Sequence, residues 1–292
     1  MIPAPVAYSR ATNLDEALAM LSEHGEAAKL LAGGQSLIPL MKFRLTAPER
    51  LIDIGRVDEL RGIEAADRGF RIGALTTYRE VLEHAALCAA YPMLREVVHE
   101  VGDVQVRNRG TIGGALALAD PAADLPAAVM ALDGELEIRS RGGSRRVAVA
   151  EFITGPYATQ LEATEIVTAL ILPPLPRSAG TAWVAMTQPA SGYSLVGVAA
   201  VVGDVHGVLG QGTVEHVRVA VTGAAEAPYR ATAVEDALTG TPCNDADLHA
   251  AAAHATDGQT LASDIHAGAE FRASLAQTYV RRALTKALQR AG

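Results

Sequence analysis

Residues able to do chemistry gather in three short segments: Ala32-Gly33-Gly34-Gln35-Ser36-Leu37, Thr111-Ile112-Gly113-Gly114-Ala115 and Asp120-Pro121-Ala122-Ala123-Asp124-Leu125-Pro126. A Gly-Gly pair alone carries little, and Gly142-Gly143 reads as a solvated hairpin turn. The pairs at 33–34 and 113–114 differ in their flanks. Each adjoins an apolar run and is bordered by hydroxyl or amide side chains, Gln35 and Ser36 in one case and Thr111 in the other. Glycine in such a place can take positive φ, turn successive amides toward one point as an anion nest, and let a ligand approach the main chain. Neither segment is a GxGxxG or a GxxxxGK(S/T) loop, so neither a Rossmann NAD site nor a P-loop is supported. On residue types alone, a phosphate-bearing cofactor and two structural turns remain alternatives.

Other chemistries have weaker support. The two cysteines, Cys88 and Cys243, lie far apart, and no CxxC or Cys/His cluster exists to hold zinc or an iron–sulfur cluster. The eight histidines form no HxxxH or HExxH pattern, so no metal site is expected. Ser36 has no GxSxG elbow around it, which removes a hydrolase reading. No catalytic acid–base pair stands out, and no catalytic residue is assigned. Arg107 and Arg109, beside the second glycine pair, could meet a phosphate or an acidic partner, although surface solvation is the simpler reading.

The composition fits this picture. Of 292 residues 49% are hydrophobic, enough for a buried core, and 25 Lys+Arg against 33 Asp+Glu give a net charge of −8. An acidic chain is a poor duplex nucleic-acid binder, because such proteins neutralise phosphates with clustered cations. The start, Met1-Ile2-Pro3-Ala4-Pro5, lacks the basic and apolar regions of a signal peptide. The longest apolar stretch, Leu195 to Gly203, falls far short of the roughly twenty residues of a membrane span. A soluble, cytoplasmic protein is expected.

Patterning then places the elements that must hold these segments. A helix capped by Thr12 or Asn13 carries Leu14, Ala17, Leu18 and Leu21 on one face and stops at Gly25. Lys29 to Ala32 reads as a buried strand running straight into the first glycine pair, and Leu51 to Ile54 as another, so the first 55 residues read β–α–β–β with a small parallel or mixed sheet. Strands are expected at Gly69 to Ala74, Glu135 to Ser140, Arg145 to Val149 and Glu165 to Leu172. Helices are expected at Thr77 to His84, Pro92 to Val101, and Pro121 to Leu132 with Asp120 as N-cap. Pro173-Pro174-Leu175-Pro176 is the clearest linker. Beyond it, strands at Ala182 to Met186, Leu195 to Val202 and Val214 to Thr222 precede helices at Thr232 to Leu238, Asp245 to His254 and about Gly268 to Arg290. In the last, Phe271, Leu275, Tyr279 and Leu284 help form an apolar stripe.

The three segments, in this order and separation, resemble the FAD-binding medium subunit of the molybdenum hydroxylases, and within that family the flavoprotein subunit of aerobic carbon monoxide dehydrogenase. The resemblance covers essentially the whole chain, including Met1-Ile2-Pro3 and Leu37-Ile38-Pro39-Leu40-Met41-Lys42. It implies an α+β chain: a two-subdomain FAD-binding fold of the PCMH/VAO type (residues 1–55 and 56–176), followed by a C-terminal antiparallel sheet with helices (177–292). By resemblance, Ala32, Gly33, Gly34, Gln35, Ser36 and Leu37, with Thr111, Ile112, Gly113, Gly114 and Ala115, cradle the FAD diphosphate through main-chain amides, which needs no lysine. Asp124 matches an acid that hydrogen-bonds the ribityl chain; a first-turn carboxylate offsetting the helix dipole is its alternative role. Tyr193 matches an aromatic residue near the isoalloxazine ring, or is a strand-edge tyrosine. Many relatives read KxKxGDY here, whereas this chain has Thr187, Gln188, Pro189 and Gly192, which weakens any basic contact from this loop. Gln35 stands where some relatives have His and cannot link a flavin covalently, so noncovalent FAD is expected.

The implied role is electron transfer, possible because a flavin joins one-electron donors to two-electron acceptors. The implied partners are a large subunit with the molybdenum cofactor and a small subunit with two 2Fe–2S clusters, together a dimer of heterotrimers, or heterohexamer. An acceptor such as quinone is implied, as is a cytoplasmic complex at most associated with the inner face of the membrane. The rivals are the same subunit serving a nicotine, purine or aromatic hydroxylase, a non-catalytic binding protein, and a stand-alone flavin reductase or oxidase.

Overall fold

The computed structural model describes residues 2–66, 69–207 and 212–291. Its first block is a three-stranded parallel sheet. β1 (Ala7–Arg10), α1 (Leu14–His24), β2 (Ala28–Leu31), α2 (Leu37–Lys42) and β3 (Arg50–Asp53) give the spatial order β1-β3-β2. Asn13 caps α1 by accepting from the Glu16 amide at 2.8 Å, and Leu14, Ala17, Leu18 and Leu21 bury against the sheet. α2 is an addition to the sequence reading. Pro39 sits in its first turn, where a missing N–H costs nothing.

The second block is antiparallel. Its strands are β4 (Ile63–Ala66), β5 (Gly69–Gly73), β6 (Glu135–Ser140), β7 (Gly143–Ala148) and β10 (Ile166–Leu172), ordered β4-β5-β10-β6-β7. Between β5 and β6 run α3 (Tyr78–Glu83), α4 (Ala85–Ala90), α5 (Pro92–Glu100), α6 (Val104–Arg107), α7 (Ile112–Leu118) and α8 (Asp124–Ala131). After β7 come α9 (Val149–Phe152) and a small pair, β8 (Ile153–Gly155) and β9 (Ala158–Thr159). Thr77 and Glu80 form a full capping box on α3. α8 corrects its expected start. It begins at Asp124 with Ala123 as N-cap, because Asp120 spends its Oδ1 on the Ala122 amide (3.0 Å), closing a turn two residues on.

β11 (Gly180–Thr187), β12 (Ser194–His206), β13 (Thr213–Thr222) and β14 (Tyr229–Arg230) form the third sheet in sequence order. α10 (Thr232–Leu238), α11 (Asp245–Ala252) and α12 (Ala269–Arg290) follow. β12 explains its own apolar run, since it is covered on both faces. Val196, Val198, Ala200 and Val202 join the core under α12, whereas Ala199 and Val201 join the core on the α8 side. The long helix keeps Tyr279 and Leu284 in its buried stripe, with Leu275 partly buried at its edge, and corrects one member. Phe271 is exposed, and Arg272, Ala276, Tyr279, Val280, Ala283, Leu284 and Ala287 are the buried positions.

Two polar contacts are among those that fix the linker and hold the third block to the second. The Tyr91 hydroxyl lies 2.8 Å from the Pro173 carbonyl and 3.1 Å from that of Leu172, fixing the start of the proline linker. At the C-terminal end of α8, Asp133 accepts from Arg218 and Arg230, each at 3.0 Å, and Arg230 also pairs with buried Glu235, whose Oε1 accepts from the Val219 amide at 2.8 Å. Removing one partner of such a pair strands a buried charge. Glu235→Ala is therefore expected to lower the unfolding free energy by about 3 kcal/mol in a urea titration, while Arg79→Ala, which breaks an exposed pair on α3, changes it by less than about 1 kcal/mol.

Candidate functional site

The two glycine segments meet. β2 delivers Gly33 against the turn before α7, so close that a β-carbon there would stand 1.9 Å from the Arg109 carbonyl oxygen. Gly34 follows with φ +75°, which favours glycine, and turns the chain into α2. Among the described residues, no acceptor engages the amides of Gly33, Gly34, Gln35 and Ser36, and Ser36 gives α2 no side-chain cap. A run of unsatisfied amides leading into a helix is an anion nest.

The second segment is built differently from the expectation. Thr111 is the N-cap of α7, its hydroxyl accepting from Gly114 at a long 3.2 Å. The amides of Ile112 and Gly113 donate to the Thr76 and Ala74 carbonyls (3.0 and 2.9 Å), and that of Ala115 to the Thr111 carbonyl. Ile112, Gly113 and Ala115 therefore have no amide to offer a ligand. A β-carbon on Gly113 would sit 2.5 Å from that of Ala74, so this glycine lets α7 dock on the strand end rather than clearing room for phosphate. What the second segment can present is the Thr111 amide and the exposed Gly114.

Beside the first segment opens a cleft of about 490 Å³ between all three blocks. Gln35, Ser36, Pro39 and Leu40 line one side. Asp120, Pro121 and Tyr157 come from the second block, and Gln188, Tyr193, Ser194, Gly223, Asp264 and Arg272 from the third. Of the expected residues, Gln35, Ser36 and Tyr193 line this cleft. Ala32, Gly33, Gly34 and Leu37 form the turn behind it, and the second segment buttresses that turn. Tyr193 is half exposed, at the end of a tight loop in which the Gln188 Oε1 accepts from the Ser191 amide (2.6 Å). The basic residues that many relatives carry here are replaced by this neutral loop, and Arg272 is the one Lys or Arg lining the cleft among the described residues.

Asp124 stands at the first position of α8, behind Ser194. Its Oδ1 and the Ser194 Oγ are both buried, and neither has a hydrogen-bond partner. Burial pushes the Asp124 carboxyl up to about 7, and the Glu100 and Asp120 carboxylates reinforce the shift. Two orphaned polar atoms beside a cleft are what a polyhydroxylated ligand would satisfy. Burial, reinforced by the Asp120 carboxylate, likewise raises Tyr157 and Tyr193. The sequence reading passed over Ser194, Arg272 and Asp264. Only Arg272 had a visible signal, a cation in phase with the apolar stripe of α12.

Comparison with known proteins decides the family. Residues 4–175 match the FAD binding domain in molybdopterin dehydrogenase, and residues 181–287 the CO dehydrogenase flavoprotein C-terminal domain. The chain belongs to the FAD-binding subunits of the molybdenum hydroxylases. It is 34% identical to the 6-hydroxypseudooxynicotine dehydrogenase complex subunit alpha of Paenarthrobacter nicotinovorans, over 100% of this chain and 97% of that one. It is equally 34% identical to the carbon monoxide dehydrogenase medium chain of Hydrogenophaga pseudoflava, over 99% of each. A solved carbon monoxide dehydrogenase structure from H. pseudoflava superposes with a TM-score of 0.95 at 36% identity over the whole of both chains. The family's cofactor is FAD, and the site residues fit it: open amides suit a diphosphate, and the orphaned Asp124 and Ser194 suit a polyol. No helix of the described residues is long and apolar enough to cross a membrane.

Two outcomes follow from this geometry. Because Gly33 meets protein, Gly33→Val is expected to lower the thermal unfolding midpoint of the FAD-free chain; a glycine that only faced phosphate would lose FAD at an unchanged midpoint. Because folding raises the Asp124 carboxyl from 3.8 to about 7, the folded chain holds that proton more tightly than the unfolded one. Stability from this group is full below pH 4 and is lost as pH rises through 7. The FAD-free Asp124→Asn protein should exceed wild type by a few kcal/mol above pH 7, the gap closing near pH 4, in urea titrations across that range.

Proposed function

We propose that this chain is the electron-transfer flavoprotein of a carbon monoxide dehydrogenase-type complex. It holds one FAD noncovalently in the cleft at Gln35, Ser36, Asp124, Tyr193 and Ser194. The observation that carries the reading is the conjunction, around one cleft of a chain that matches both family domains, of open amides at 33–36 on one side and the orphaned Asp124 Oδ1 and Ser194 Oγ on the other. FAD supplies a centre that can be filled one electron at a time and emptied in pairs. The chain's own residues bind and orient it. The Gly33–Ser36 amides take the diphosphate, with the Thr111 amide and Gly114 within the same corner. Asp124 and Ser194 would take ribityl hydroxyls, and Tyr193 would offer its ring to the flavin from the cleft wall.

Among the described residues no group of three or more His, Cys, Asp or Glu could hold a metal ion. In the complex a large partner carries the molybdenum cofactor and a small one the 2Fe–2S clusters. The assembly is a cytoplasmic dimer of heterotrimers passing electrons to an acceptor such as quinone. Domain limits at 55 and 176 are proposed on the change of sheet between Asp53 and Ile63 and between Leu172 and Gly180. A second substrate reading stays attached to the first, because a relative named for 6-hydroxypseudooxynicotine matches as well as one named for carbon monoxide.

The test is FAD uptake by the full-length chain, followed by turnover of the purified complex. The wild-type chain is expected to bind one FAD and turn yellow, with Asp124→Ala and Ser194→Ala each weakening binding by about 1–3 kcal/mol. The complex is expected to reduce a dye with carbon monoxide. A colourless chain that fails to bind added FAD contradicts the cofactor site; turnover with a nicotine-type substrate but not carbon monoxide contradicts the substrate alone.

A further inference from the structure

Arg272 is the most costly side chain in the third block that the cofactor reading does not use. It is 4% exposed, lies in the first turn of α12, and interrupts a stripe otherwise made of Ala276, Val280, Ala283, Leu284 and Ala287. A cation in the first turn opposes the helix dipole, and burying a guanidinium costs more still. An alanine or leucine would continue the stripe at neither cost. Packing of the helix therefore does not account for an arginine at this position.

Its partners do. Nη1 donates to the Leu195 carbonyl at 2.7 Å and to the Gly223 carbonyl at 2.6 Å, and Nη2 to Asp264 Oδ2 at 2.7 Å. Each contact ends on a piece of the cleft. Leu195 is the residue after Ser194, and Tyr193 precedes both. Gly223 donates its own amide to the Pro121 carbonyl at 3.0 Å, and its neighbour Thr222 bonds Pro121 and Ala123 at 2.9 Å, so the β13 end grips the loop that presents Asp120 and Asp124. Asp264 accepts from the His266 and Ala267 amides (2.8 and 3.0 Å), shaping the loop that forms the third wall. Gly223 has φ +74°, and a β-carbon there would stand 2.6 Å from the Ser194 carbonyl, so the strand ends are already in main-chain contact. One planar fork with fixed donor directions thus joins three segments that no single strand or helix joins.

We propose that Arg272 is a positioning residue for the cofactor. Through the Leu195 and Gly223 carbonyls and Asp264 it sets the distance between the Tyr193–Ser194 edge, the Pro121–Asp124 loop and the 264–267 loop, and so the affinity and environment of the bound flavin. The assignment rests on the reading that FAD occupies this cleft.

The experiment compares full-length wild type with Arg272→Lys, Arg272→Met, Asp264→Asn and Arg230→Met. Three readouts are taken: the FAD dissociation constant, the visible circular dichroism of bound flavin, and the thermal midpoint without FAD. Arg272→Met is expected to weaken FAD about 10–100-fold and change the flavin dichroism, with Arg272→Lys recovering part of both. Arg230→Met, which loosens the far end of α8, is expected to lower the midpoint and leave FAD affinity within about twofold. Should Arg272→Met not fold, Asp264→Asn and Arg272→Lys carry the test, each expected to weaken FAD about tenfold. FAD affinity within about twofold of wild type and an unaltered dichroism in the Arg272 and Asp264 variants overturn the proposal. Equal FAD loss in Arg230→Met overturns it too, since general loosening then explains the effect. A wild-type chain that takes up no FAD overturns the cofactor reading itself, and this assignment with it.

Discussion

Main chain lies against main chain where Gly33 meets the Arg109 carbonyl and the Gly110 α-carbon, and the geometry of the cleft depends on that contact. It brings the end of a parallel strand in the first block against the turn that starts α7 in the second. A side chain at position 33 would force the two sheets apart. With the corner closed, the amides of Gly33 to Ser36 find no acceptor among the described residues. The second glycine segment contributes mainly from behind. Gly113 lets α7 lie on Ala74, while the Val106 carbonyl, accepting from the Arg109 and Gly110 amides, and the Tyr78 amide, donating to the Gly110 carbonyl, hold the turn before it. Two motifs that look alike in sequence thus divide the work between presenting donors and supporting them.

Polar cost is concentrated on the opposite wall. An aspartate that is buried without a partner, next to a buried serine without one, is a standing expense of the folded chain. Such an arrangement is retained where a ligand removes the penalty. The α8 helix that carries Asp124 is pressed between α5 of the second block and strands β12 and β13 of the third sheet along its length. The carboxyl can be held in an unfavourable place because the helix has no freedom to relieve it. Arg272 does the same for the third block, with one buried cation ordering three segments of main chain.

Much of the fold was readable because it follows period and punctuation. Leu14, Ala17, Leu18 and Leu21 mark α1, Gly142-Gly143 marks the β6–β7 turn, and the proline run at 173–176 separates the sheets. The errors have different causes. Asp120 looked like an N-cap but closes its own turn through the Ala122 amide, a local alternative that competes with capping. Phe271 looked like core but lies one position off the face that α12 packs on β11 and β12. The glycine segments could be found in sequence, but the direction of their amides could not, because the acceptors for Ile112 and Gly113 lie nearly forty residues earlier, on Thr76 and Ala74. Ser194 was invisible for the same reason, since a serine at a strand start has no pattern of its own.

Amide hydrogen exchange on the full-length chain, with and without FAD, tests the central claim most directly. The amides of Gly33, Gly34, Gln35 and Ser36 are predicted to exchange rapidly without FAD and to become protected when it binds, while those of Ile112 and Gly113 are protected in both states. Unchanged exchange at residues 33–36 on FAD binding, or rapid exchange at 112–113 that only FAD slows, would contradict the account.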